Sequence, residues 1–293
     1  MNTTPHNTRA LVIAGGGAAG NAWAIGLVAG LADAGVDVSR ADLIIGTSSG
    51  STVAAQITNT APPELYASIL GEPPQPAGAR RGPARGISGQ NYLDWSNAII
   101  ASAEDAADMR RKMGAAALER DASDGADGMR WREITTSRLP GVTWPEQRVL
   151  ITALDARTGE PVVFDRDSGV ELVDAVAAST SAMIPYPIGE DRYLNGSYRR
   201  GENADLAAGY DRVLMLVPFG GRTRMPDTLG MDLPAQIAEL EAGGSRVQTV
   251  VPDAGAGEVF DANALDPATR LPAARGGYEQ GRVLGGQLAE FWG

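Results

Sequence analysis

The chain has 293 residues, 43% hydrophobic and 21% charged, which suits one large α/β domain or two ordinary ones. A formal net charge of −11 argues against a nucleic-acid partner, which calls for a basic face. Cysteine is absent, and the only histidine, His6, lies in a polar leading segment, so any catalytic scheme must work without thiolate or imidazole.

Residues 1–9 read as a flexible tail with no long apolar run before a cleavage site. No stretch reaches the ~20 apolar residues of a membrane-spanning helix, so a cytoplasmic protein is expected. RALVIAGGGAAGNAWAIGLVAGLADAG is an apolar β-type run, a glycine-rich turn and a helix ending at Gly35. ADLIIGTSSGSTVAAQI repeats the pattern, and two strand–loop–helix units in succession predict a parallel sheet with covering helices. GEPPQPAGARRGPARGISGQ (71–90) is a loop or lid, in which Arg80, Arg81 and Arg85 default to solvated positions. A helix-compatible stretch follows over 91–120, with Arg110, Arg111 and Lys112 on an exposed face. DASDGADG (121–128) then breaks it with two Asp-Gly turns. Residues 71–145 therefore read as an insertion over one face of the sheet.

The sheet resumes in RVLITALDARTGEPVVFD, two apolar runs around a turn at Arg157-Thr158-Gly159. GVELVDAVAASTSAM reads as a helix stopped before Ile184-Pro185. Later strands are expected at 211–219 and 245–252, and helices at 233–243 and 276–291. The prediction is one α/β domain over 10–293, three-layer α/β/α, with a mainly parallel central sheet.

Two motifs carry chemistry. GGGAAG (Gly15–Gly20) fits the dinucleotide pattern G-x-G-x-x-G, but that fold needs an acidic residue ending the next strand. Here Leu43-Ile44-Ile45 runs directly into GTSSG, with no carboxylate. GTSSG instead fits G-x-S-x-G, the sharp strand-to-helix turn that lifts a serine hydroxyl above a sheet. Ser48 is its central serine, while Ser49 and Ser51 read as turn and cap residues. The motifs then explain each other: acyl transfer creates an oxyanion, and a glycine loop at a helix N-terminus supplies N–H donors for it. The donors are assigned to Gly16, Gly17 and Ala18. No pattern suggests a metal site.

With the ordered run ADLIIGTSSGSTVAA, DAVAASTSAMIPYP and YLNG…ENADLAAGYDRVLML, the chain resembles the patatin-like phospholipase family. That resemblance implies a G-G-G-x-x-G oxyanion loop, a G-x-S-x-G serine and a downstream D-G-G or D-G-A aspartate, used as a Ser–Asp dyad without cofactor. It implies an acyl ester or lipid substrate and an apolar mouth open to transient contact with a membrane or micelle surface. The chain departs from the pattern twice. Ala18-Ala19 stand where the family often has a basic residue, and Asn195 stands where the dyad aspartate belongs.

An amide keeps the shape of the base and loses its function, because it holds no proton at neutral pH. Either Asn195 is a substitution introduced to trap the site, the preferred reading, or the chain is a natural pseudoenzyme that binds acyl chains or acts as a scaffold. A third option hands the role to another carboxylate. Asp124 and Asp127 read as solvated Asp-Gly turns, Asp155 as structural, Glu202 as misplaced and Asp205 as a helix cap. Trp23, Ser49, Met183 and Tyr186 are assigned to the substrate-facing wall, while Trp95, Trp131, Trp144 and Trp292 read as core or rim.

Overall fold

The computed structural model describes residues 7–73, 89–121, 126–139, 141–256, 259–260 and 263–293. His6, Arg80, Arg81, Arg85 and Asp124 lie outside them.

The first strand, β1 (Arg9–Ile13), leads into α1 (Gly17–Asp33), and β2 (Leu43–Gly46) into α2 (Ser49–Ile57). β1 already includes Arg9, expected in the tail, and Asp211 holds Thr8 through its backbone and hydroxyl. Helices α3 (Pro62–Leu70), α4 (Gly89–Ala101), α5 (Ala106–Arg120) and α6 (Ala126–Arg138) precede β3 (Arg148–Asp155) and β4 (Pro161–Phe164). Then come α7 (Leu172–Thr180), β5 (Tyr186–Ile188), β6 (Asp191–Asn195), β7 (Arg212–Leu216), α8 (Leu233–Ala242), β8 (Arg246–Val250) and α9 (Arg270–Trp292).

The eight strands among the described residues join one sheet, hydrogen-bonded in the order β5-β6-β3-β2-β1-β7-β8, with β4 on β3. β1, β2, β3, β7 and β8 pair in parallel, and β4, β5 and β6 add the antiparallel contacts. Strand alternation divides the core in two. Leu11, Ile13, Ile44, Ile151, Leu214 and Leu216 pack with α1, α2, α7 and α9 on one face. Ala10, Val12, Leu43, Ile45, Val213 and Met215 pack with α8 on the other. Helices cover both sides, as the three-layer expectation requires.

α1 is buried without a break from Ala19 to Leu31, as a helix between a sheet and other helices must be. Its second neighbour is α9, and small residues set their separation. A Cβ on Gly26 or Gly30 would lie 2.1 Å from a carbonyl oxygen of α9, and one on Gly277 2.3 Å from that of Trp23.

Some expectations shift. The 91–120 stretch is two helices, because Asp105 caps α5 by accepting the Asp108 N–H at 2.7 Å. Asp127-Gly128 is not a turn but the first turn of α6, where a carboxylate suits the helix dipole. The insertion does not stay on one face. α5 meets Leu154 and Leu194, whereas Trp131 of α6 enters the α1–α7 side and donates its indole N–H to Ala177 O at 3.1 Å. α7 stops at Thr180, short of the proline, because Ser181 is extended and its carbonyl accepts the Asn195 N–H at 2.7 Å. α9 is longer than expected at its N-terminal end. No helix among the described residues is long and apolar enough to cross a membrane.

Candidate active site

Sheet register brings the two distant motifs together. Ile151 of β3 pairs with Gly46 on one edge and Phe164 of β4 on the other. Ala153 pairs with Val162 of β4 and Asn195 of β6. β4 therefore occupies one edge, and β2 and β6 share the opposite edge end to end. β2 runs with β3 and stops at Gly46; β6 runs against it and stops at Asn195. Their C-terminal ends meet head-on, two β3 residues apart.

Ser48 leaves the end of β2 at φ 53°, ψ −126°, a left-handed backbone that a non-glycine residue adopts only when its surroundings force it. The flanking glycines impose it sterically. A Cβ on Gly46 would come 2.6 Å from Ser51 Cα, and one on Gly50 2.1 Å from Ile13 O. Ser179, fully buried on α7, accepts the Ser48 N–H at 2.9 Å, and Ser51 Oγ bonds the Ser48 carbonyl.

The glycine loop lies beside this turn, since a Cβ on Gly15 would sit 2.9 Å from Ser48 Cβ. The Gly16 N–H donates to Ser49 Oγ at 2.9 Å, so it is engaged, and Ser49 ties the two loops together. Gly17 and Ala18 are the first two residues of α1, where N–H groups have no acceptor within the helix. Both are half-exposed while Gly16 is buried. Neither α1 nor α2 has an acidic residue in its first turn, though the Ala264 carbonyl accepts the Ala19 N–H at 3.0 Å.

Asn195 is 6% exposed and its Nδ2 donates to Ser48 Oγ at 2.9 Å. Its orientation is fixed from behind: Oδ1 accepts the Ser197 N–H at 3.0 Å and the Ser197 hydroxyl at 2.9 Å. A backbone N–H can only donate, so the oxygen must face Ser197 and the nitrogen must face Ser48. Gly196 turns tightly over β3, where a Cβ would lie 2.1 Å from Thr152 Oγ1.

Asn203 ties the halves together, and no sequence motif marked it. Fully buried at φ 58°, it directs Nδ2 at Thr47 Oγ1 (2.9 Å), Thr152 Oγ1 (3.2 Å) and Gly196 O (3.1 Å). These acceptors belong to the serine turn, β3 and the Asn195 turn. Arg199 Nη1 holds Asn203 Oδ1 at 2.8 Å and forks onto Asp205 at 2.9 and 2.7 Å. Asp205 is thus half of an ion pair rather than the expected helix cap. Burial works to raise its pKa, but hydrogen bonds and charge from Arg199 outweigh it and hold the carboxyl below the usual range. Burial raises Glu202, whose carboxylate accepts from Gln236 Nε2 at 2.8 Å. Asp155 accepts the Arg157 and Thr158 N–H groups, a turn role.

The expected substrate wall is largely elsewhere. Trp23 is almost two helical turns beyond Gly17, fully buried; its indole N–H donates to Gln280 Oε1 at 2.9 Å and its ring edge meets Phe260. Tyr186 directs its hydroxyl to Asp174 on α7, and burial followed by that carboxylate pushes its pKa far above the usual tyrosine value. Met183 is buried in the 181–184 segment, whose Ser181 carbonyl holds Asn195 and whose Ala182 carbonyl accepts the Tyr198 hydroxyl. A rim residue unmarked in the sequence is Leu265, 57% exposed and close enough to Gly17 that a Cβ there would meet it at 2.9 Å. A cavity of ≈ 180 Å³ between β8 and α9 lies three strands from β2 and shares no lining residue with this centre.

The arrangement is a serine on a strained turn, beside the N-terminal end of α1, with the amide nitrogen of Asn195 directed at its hydroxyl. No curated protein matches the chain. A family model for patatin-like phospholipase matches residues 11–208, a span that runs from β1 past Asn203 and contains both loops, so the chain belongs to that family.

Proposed function

We propose that this chain carries the acyl-serine centre of a lipid or carboxylic ester hydrolase, halted at proton transfer by Asn195. Ser48 is the nucleophile. Its Oγ bonds to the ester carbonyl carbon, and the resulting oxyanion takes the N–H groups of Gly17 and Ala18, with Gly16 shaping the loop. Preset donors of this kind are worth ~10²–10³-fold each in rate. Collapse breaks the bond to the alkoxide leaving group, and water then releases the acid from Ser48. No cofactor enters.

Each step needs a group that takes the Ser48 or water proton and returns it to the leaving oxygen. An aspartate at 195 would present an oxygen where Nδ2 now stands, while its other oxygen kept the Ser197 donors. The observation that carries this reading is the 2.9 Å Nδ2–Oγ contact with Oδ1 already occupied. The exposed Leu265 at the rim supports an apolar substrate and transient contact with a lipid surface.

The test compares the chain, Asn195→Asp and Asn195→Asp/Ser48→Ala on p-nitrophenyl esters of short and long acyl chains. Asn195→Asp gains about 10²–10⁴-fold in kcat/KM, the usual contribution of a positioned base. A folded Asn195→Asp protein without that gain contradicts the proposal. The second reading is a non-catalytic acyl-binding protein, favoured by the donor character of Asn195 toward Ser48.

A further inference from the structure

The hydrogen-bond polarity at Ser48 has a chemical consequence that extends the second reading. Ser48 Oγ accepts from Asn195 Nδ2, and the amide oxygen is turned to Ser197, so the serine proton finds no acceptor in Asn195. That proton is left to be donated to a bound group at the partly exposed Ser48. Asn195 is 6% exposed, and Ser48 Oγ is the one acceptor of its Nδ2 among the described residues, which leaves a second amide hydrogen to give. Gly17 and Ala18 add two backbone N–H groups, and both α1 and α2 present positive ends without an acidic residue in their first turns.

Negative charge is also kept away. Glu202 is turned to Gln236 and Asp205 lies in the fork of Arg199. A centre built for an ester would balance these donors with one carboxylate. Here nothing does.

We propose that the centre, as this chain carries it, is a carboxylate-binding site that holds the free acid of an acyl chain in preference to its ester. One carboxylate oxygen takes the Gly17 and Ala18 N–H groups; the other takes the Ser48 hydroxyl and the remaining Asn195 hydrogen. Helix N-termini favour an anion in this place. The proposal rests on the assignment of Ser48, Asn195 and the glycine loop to one centre. It reverses the ligand preference of an active dyad, because an aspartate at 195 would repel the same carboxylate.

The experiment is calorimetric titration of the chain, Asn195→Asp and Ser48→Ala with octanoate and with octanamide, its uncharged counterpart. Octanoate binds the chain at least about tenfold tighter than octanamide, as expected for donors facing a charged acceptor. Asn195→Asp weakens octanoate at least about tenfold through like-charge repulsion. Ser48→Ala, which removes one donor and little volume, weakens it by about tenfold. Octanoate binding no tighter than octanamide overturns the proposal, as does octanoate affinity unchanged by either substitution. Its fate is separable from that of the hydrolase reading. Ester turnover by Asn195→Asp without octanoate binding by the parent chain overturns only the carboxylate site. Octanoate binding with the expected losses, and no turnover in Asn195→Asp, upholds the site and removes the hydrolase.

Discussion

The two halves of the centre are built by different physics. The serine half, Gly15 to Ser51, adds close steric packing to its Ser49 and Ser179 bonds: Gly15, Gly46 and Gly50 each stand where a Cβ would strike neighbouring atoms at 2.9 Å or less. The Asn195 half, 195 to 205, is held by polar bonds from Ser197, Asn203, Arg199 and Asp205. Its close glycine contact, Gly196 on Thr152, serves to seat the turn. A steric frame tolerates loss of charge without noticing. A polar frame keeps its geometry only while donors and acceptors still match, and Asn195 does match, because its oxygen occupies the side that Ser197 reads. Its nitrogen is the side turned to Ser48, where the proposed hydrolase would need an oxygen.

The sharpest way to break this comparison is Ser48→Ala in the Asn195→Asp protein. It should erase the whole gain in ester turnover, about 10²–10⁴-fold, with folding retained by circular dichroism. Turnover that survives would place the nucleophile elsewhere.

Next in size is the steric side. Gly50→Val forces a branched side chain against the Ile13 and Ala14 carbonyls, 2.1 and 2.7 Å from its first carbon. The expected cost is about 3 kcal/mol or more in urea unfolding, or no soluble protein at all. A variant within about 1 kcal/mol of the parent would show that the turn is not sterically set.

The polar side should respond more mildly and in a different currency. Asn203→Leu in the Asn195→Asp background leaves Thr47, Thr152, Gly196 O and Arg199 short of a partner, at about 1–3 kcal/mol in stability. It should lower kcat by about tenfold to a hundredfold with KM little changed, since it moves base against nucleophile rather than touching substrate. Equal loss in kcat and KM, or none, would remove Asn203 from the positioning role.

The smallest effect is electrostatic. Burial raises the pKa of Glu202 above its unfolded value, so its charge opposes folding, and stability falls as pH rises from the unfolded toward the folded pKa. Glu202→Gln should therefore raise Tm at neutral pH and leave it nearly unchanged well below pH ~4, where the parent is protonated in both states. Asp205 acts with the opposite sign: Arg199 holds its pKa down, and its contribution is lost as pH falls through that lowered value.

The same contrast explains what the sequence disclosed. Sterically required glycines leave a spacing, so Gly15–Gly20 and Gly46–Gly50 announced both loops, and alternating apolar runs announced the strands. Hydrogen bonds that span half the chain leave none. Ser179 meets Ser48 across 131 positions and Asn203 meets Thr47 across 156, so neither was legible. The Gly16 N–H to Ser49 bond, 33 positions apart, left no signal either. Trp23 was misread because nearness to the loop in sequence was taken for nearness in space, whereas helical rise carries it into the α1–α9 core. Asp127-Gly128 had the letters of a turn, yet it opens α6, with Gly128 packed where a Cβ would strike Pro187.

The central claim is that the centre is assembled and lacks only a proton acceptor. The most direct measurement is the rate at which a fluorophosphonate probe, which needs no particular lipid, attaches to Ser48, followed by intact-protein mass. Asn195→Asp should label about 10²–10⁴-fold faster than the parent chain, at one site that Ser48→Ala abolishes. Equal labelling rates in two folded proteins would contradict it.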